Sequence, residues 1–168
     1  MKKKNRLKTL LLSTCLVVAL SSGSILVSAL PIVSVQPWKL MDSGNHLDWD
    51  GSTIYQASFD SAVSVWNSYK PEVIREDSIF TWEDVYISDI YEVSNMAGRT
   101  YSSGSIVFNT YQMGSLTYEK RLNTCIHELG HALGLDHNTS TDVMYDYVTS
   151  ITSLSDNDKA SFDYSYTH

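Results

Sequence analysis

The feature that most constrains this chain is the run His127-Glu128-Leu129-Gly130-His131-Ala132-Leu133-Gly134-Leu135-Asp136-His137. His127 and His131 are four positions apart, so on a helix they stand one turn apart on the same face. Two imidazoles placed in this way reach a single ion at roughly 2.0–2.1 Å. Glu128 is rotated by about 100° from His127, beside such an ion rather than on it. A helix continuing through His137 would carry that residue roughly 9 Å along the axis and off the ligand face. Gly134 resolves the conflict, because glycine tolerates the left-handed backbone that ends helices. A bend there returns His137 towards the other two rings. Three neutral histidines with one open position make the pattern of a catalytic zinc site rather than a closed structural one.

An ion held there would acidify a water and polarise a carbonyl. Glu128 would take the water's proton as the water attacks, then deliver it to the leaving amine. The expected reaction is hydrolysis of a peptide bond. The alternative is a metal-binding or adhesion domain without turnover. Glu128 separates the two, since a purely structural site would have no use for it.

The N-terminus reads as an address. Met1 to Lys8 is basic, Leu10 to Leu20 is mostly apolar, and Val27-Ser28-Ala29 supplies small or modest side chains. That order is a secretory signal with cleavage expected after Ala29, so residues 1–29 are the signal and 30–168 a single exported domain. The alternative is a cell-surface protein anchored in the membrane by an uncleaved signal segment, though several Ser and Thr residues dilute the apolar run. Cys15 leaves with the signal. Cys125 is then alone and cannot form an internal disulfide, so the domain must stand on its core, with help from a bound metal.

Charge narrows the partners. The chain carries 12 basic and 19 acidic residues. Five of the basic ones, Lys2, Lys3, Lys4, Arg6 and Lys8, lie in the address, which leaves a body of net charge −12. An acidic body repels phosphate backbones, so nucleic acid is not an expected partner.

Periodicity gives the rest of the outline. Tyr55, Phe59, Ala62, Val63, Trp66 and Tyr69 recur at steps of three and four, which predicts a helix over 52–69 capped by Ser52. Residues 79–82, 85–90, 96–101 and 106–111 read as short strands. A first strand within 30–51 is weakly indicated. A second helix is expected over about 117–133. Ser155 with Asp158 resembles a capping box and opens a last helix through about Tyr164. This order suggests an α+β or mixed α/β domain with one sheet.

His127 to His137 followed by Met144 resembles the metzincin clan of zinc endopeptidases, and within it the matrixin (matrix metalloproteinase) family in a bacterial-type minimal catalytic domain. His131–His137, Val143-Met144-Tyr145 and Leu154-Ser155-Asp156-Asn157-Asp158 carry the likeness, which covers about 45 residues from Leu116 onward. The resemblance implies an α+β fold with a twisted mixed sheet of about five strands, one antiparallel edge strand, and three helices. It implies His127, His131 and His137 as ligands of one catalytic Zn2+ and Glu128 as general base. Met144 would form the turn beneath the ion, and Gly134 the bend. A protein or peptide substrate would lie extended along the edge strand, for which residues 96–101 are the candidate. Tyr145 to Ile151 would wall the pocket for the residue after the cleaved bond, with Tyr145 and Tyr147 as its aromatic members. Either tyrosine could also reach the ion, although packing is the blander role.

Several family features are missing. Cys125 lies two residues before His127, an offset that points it away from the ligand face and fits a buried apolar role. A second zinc would have only His46 and His168 to use. His46, Asp48 and Asp50 read either as a metal contact or as a solvated acidic loop. Calcium (Ca2+) is allowed at the acidic loops, but no ligand pattern calls for it.

Overall fold

The computed structural model describes residues 29–78 and 82–168. Residues 1–28 of the signal expected over 1–29, and most of the strand expected at 79–82, lie outside the described residues. Trp82, its last residue, is in no strand and is 90% exposed.

The elements run β1 (Leu47–Gly51), α1 (Gln56–Tyr69), β2 (Ile74–Glu76), β3 (Val85–Ile90), β4 (Gly98–Tyr101), β5 (Ser105–Asn109), α2 (Thr110–Met113), α3 (Tyr118–Ala132) and α4 (Asp156–Thr167). The five strands form one sheet in the order β2-β1-β3-β5-β4. All pairings are parallel except β4 with β5, where Gly98 faces Phe108 and Tyr101 faces Ser105. The fold is therefore the expected α+β arrangement with an antiparallel edge strand. The three long helices are joined by a single helical turn, α2, that periodicity does not reveal. No helix among the described residues is long and apolar enough to cross a membrane.

Helix α1 forms because its apolar residues fall on one stripe. Phe59, Ala62 and Trp66 are completely buried, and each large side chain there contributes roughly 1.5–3 kcal/mol. Phe59 meets Trp49 of β1 edge-on at 4.9 Å and Phe108 of β5 at 6.2 Å. The Trp66 ring packs on Phe162 of α4, and its indole N–H donates to the Ile126 carbonyl of α3 at 3.1 Å. One residue thus ties α1 to both helices that frame the site.

Several boundaries differ from the sequence reading. Helix α1 starts at Gln56, and Ser52 is not its cap. Instead Asp89 of β3 accepts from the Ile54 amide and the Thr53 hydroxyl, and that hydroxyl accepts from the Tyr55 amide. The strand expected over 106–111 stops at Asn109, whose side chain accepts from Tyr111 N and opens α2. Helix α4 runs three residues beyond Tyr164, from the capping box expected between Ser155 and Asp158.

The acidic loop is also resolved. Asp48 is buried, not solvated, and Arg75 grips both its oxygens at 2.7 Å. His46 lies against Asp42 rather than with Asp48.

Candidate active site

Thr117 caps α3 by accepting from the Lys120 amide, and the helix then carries His127, Glu128 and His131 inward. It ends where the sequence places the bend. Gly134 has φ +94°, its N–H donates to the His131 carbonyl, and Leu135 N–H donates to the Gly130 carbonyl. A side chain at 134 would run into Ser165 Oγ and sit 3.0 Å from Lys39 Cβ. Gly134 therefore serves both the backbone turn and the close approach of α4.

The bend returns His137. The ring centres of His127, His131 and His137 lie 4.6, 5.2 and 4.9 Å apart, and their ligand atoms fall within 4.8 Å of one another. Among the described residues this is the one cluster of three or more such groups able to hold an ion.

Hydrogen bonds orient the rings. His127 Nδ1 donates to the Val143 carbonyl and His131 Nδ1 to the Leu135 carbonyl, both at 2.9 Å. A carbonyl only accepts, so each Nδ1 carries the proton and each Nε2 keeps a free lone pair. Burial lowers the pKa of both rings, which keeps them neutral, as a metal ligand must be. Fixed tautomers, neutral rings and a convergent nitrogen set fit a zinc ion.

Glu128 is buried, and that burial raises its pKa above the ordinary carboxylate range, with His131 and Thr100 partly offsetting it. Thr100 of β4 places its hydroxyl 2.8 Å from Glu128 Oε2 and 2.8 Å from the Glu128 carbonyl oxygen. Gly98, on the same strand, leaves room for this approach: a Cβ there would meet Glu128 Cγ at 2.8 Å.

Met144 packs against α3, the helix that carries His127 and His131. It is buried, and a side chain at Gly130 would collide with its Sδ. Its backbone is fixed on both sides. Met144 N donates to Asp158 Oδ1, and its carbonyl accepts from Asn138 N. Asp158 also accepts from Val143 N, so one buried carboxylate of α4 sets the carbonyl that orients His127.

The histidines and Glu128 open into a cleft of about 350 Å³. Its walls are 95–100 on one side and Tyr145 to Val148 on the other, with Gln36, Asn123 and Thr124 between. The matrixin family model matches residues 91–167. Over that stretch the chain is similar to the matrixins. The matched stretch is a little under half of the chain; it contains β4, β5, α2, α3 and α4, and every site residue named above except Gln36 and Lys39. No curated protein matches the chain. A matrixin-like domain suggests metalloprotease activity, and the three-histidine cluster is where it could hold the ion.

Of the residues singled out in the sequence, His127, Glu128, His131, His137, Tyr145 and Tyr147 all line this one cleft, while Gly134 makes the bend that precedes His137 and Met144 packs on Gly130 of α3. The two tyrosine rings lie 5.4 Å apart, and Tyr147 is 68% exposed. Cys125 points into the core of the matrixin-like domain, where burial pushes its thiol far up. The sequence reading missed Thr100, because nothing local marks a threonine that reaches across to a helix. It also missed the strap over 34–40. There Gln36 N donates to the Gly134 carbonyl, Leu40 N to the Ala132 carbonyl, and Asp136 N to the Ser34 carbonyl. These bonds satisfy the end of α3 and its bend with chain that lies about a hundred residues upstream.

Proposed function

We propose that this protein is a secreted zinc-dependent endopeptidase. The observation that carries the reading is the convergence of three imidazoles beside one buried carboxylate in an open cleft. His127, His131 and His137 would hold the ion through their remaining nitrogens. When bound, zinc supplies Lewis acidity, which makes water a better nucleophile and a carbonyl a better electrophile.

The rest of the chemistry falls to the chain. An extended peptide adds to the free edge of β4 by main-chain hydrogen bonds, and the wall at Tyr145 to Val148 receives a side chain from it. Glu128 takes one proton from the attacking water. The carbon–oxygen bond forms, the carbon–nitrogen bond breaks, and Glu128 returns the proton to the departing amine. Secretion is supported by the basic, apolar and small-residue order of residues 1–29.

The test is Glu128→Gln in the exported form, with zinc content and peptide cleavage measured together. The variant should keep one zinc and lose cleavage by at least 100-fold. Cleavage at the parent's rate, or a parent protein that takes up no zinc, ends the reading.

A further inference from the structure

The three imidazoles are not held alike. His127 and His131 each give Nδ1–H to a backbone carbonyl, of Val143 and Leu135, and no side-chain substitution can remove those acceptors. Among the described residues, no backbone carbonyl accepts from the His137 ring. Its Nδ1 instead lies 3.2 Å from Asp146 Oδ1, and that carboxylate is more than half exposed on the turn after Met144. His137 is also the most exposed of the three rings. Its backbone is anchored separately, by its own N–H donating to Asp136 Oδ1 at 2.8 Å, so Asp146 acts on the ring and not on the loop.

From this asymmetry we propose that Asp146 is a positioning residue for the metal: its carboxylate, against His137 Nδ1, orients the ring so that Nε2 faces the ion. The inference rests on the reading of the cleft as a zinc site. A carboxylate behind a ligating histidine makes the ring a stronger donor and adds negative charge near the cation. Here that support comes from a side chain on the outer rim of the cleft. The third ligand is therefore the one whose hold on the ion depends on a single exposed residue, and metal affinity is set at position 146. Asp146 also lies between Tyr145 and Tyr147 on the cleft wall, so the turn that shapes the substrate pocket also carries the support for the third ligand.

The experiment measures zinc affinity directly, by competition with a chromophoric chelator, for the parent, Asp146→Asn, Asp146→Ala and Asp156→Asn. Thermal melting of the metal-free proteins is recorded alongside. Asp156 is an exposed acid at the start of α4, so its substitution removes the same charge away from the cleft. Asp146→Ala should bind zinc 10- to 100-fold more weakly than the parent. Asp146→Asn keeps an acceptor oxygen and should fall between the two. Asp156→Asn should match the parent, and the metal-free melting curves should coincide. Parent-like affinity in both Asp146 variants would overturn the assignment while leaving the zinc site intact. An equal loss in Asp156→Asn would also overturn it, by showing a general charge effect. A parent without zinc affinity would overturn both this inference and the proposed function.

Discussion

The Thr100 hydroxyl sits 2.8 Å from Glu128 Oε2, which links the edge strand β4 to the buried carboxylate of α3. The strand proposed to bind substrate therefore also fixes the residue proposed to move its proton. A hydrogen bond to a charged group contributes about 1.5–3 kcal/mol. Thr100→Val keeps the shape and removes the bond. It should lower kcat/KM by about 10- to 100-fold while zinc content stays at the parent level. Steady-state kinetics with a quenched peptide, paired with metal analysis, checks this. An unchanged kcat/KM would mean that Glu128 is held by packing alone.

The bend at Gly134 is where the geometry of the cleft is most exposed to a single substitution. Gly134→Ala forces an L residue into φ +94° and drives its Cβ into Ser165 Oγ. Strain of this kind costs about 1–3 kcal/mol. The urea midpoint should fall accordingly, and zinc affinity should fall with it, because His137 follows the bend. Adding Ser165→Ala should recover only the steric share of the loss. A variant with the parent's midpoint and affinity would show that the loop finds another path.

Acid should loosen the segment between His137 and Met144. Asp142 is buried, which alone would raise its pKa, but hydrogen bonds from Thr139 and Asn157 outweigh this and hold the carboxyl below its ordinary value. A depressed folded-state pKa gives stability that is complete above the unfolded value of about 3.9 and is lost as pH falls through the folded one. Asp142→Asn should therefore unfold more easily than the parent at pH 7, and the gap should close as pH drops below about 4. Urea unfolding from pH 7 to pH 3, with chelator in every sample, isolates the effect from metal loss. A gap of constant size across that range would remove Asp142 from the account.

What the sequence made legible follows from range. The histidine run, Gly134, the stripe on α1 and the Ser155–Asp158 capping box are local patterns, and all appear in the structure at the stated residues. The expected edge strand appears as β4, shortened to Gly98–Tyr101. What escaped is non-local. Strand β2 is three residues long and exists through its pairing with β1. The turn that leads into α1 is held by Asp89, more than thirty residues downstream. Thr100, Asp146 and the strap at 34–40 gain their roles only when distant segments meet. No period or spacing marks them beforehand.

Asn109 gives the last prediction, because one fully buried amide organises a whole rim of the cleft. Its Nδ2 donates to the Glu92 and Met96 carbonyls at 2.8 and 2.9 Å. Its Oδ1 accepts from the Glu92 and Tyr111 amides, and its own N–H donates to the Ala97 carbonyl. Residues 92–97 are thus held to the end of β5 by one side chain and the adjoining backbone, and 95–97 line the cleft. Asn109→Ala leaves several of these groups without partners and removes the cap of α2, a combined cost of about 2–4 kcal/mol. The histidines lie on other elements, so zinc content should hold. The rim that an extended peptide crosses would be freed. KM for long peptides should therefore rise several-fold while kcat changes less, and limited proteolysis should cut first within 92–97. If kcat and KM moved together with zinc content, the loop would be supporting the metal centre and not the substrate.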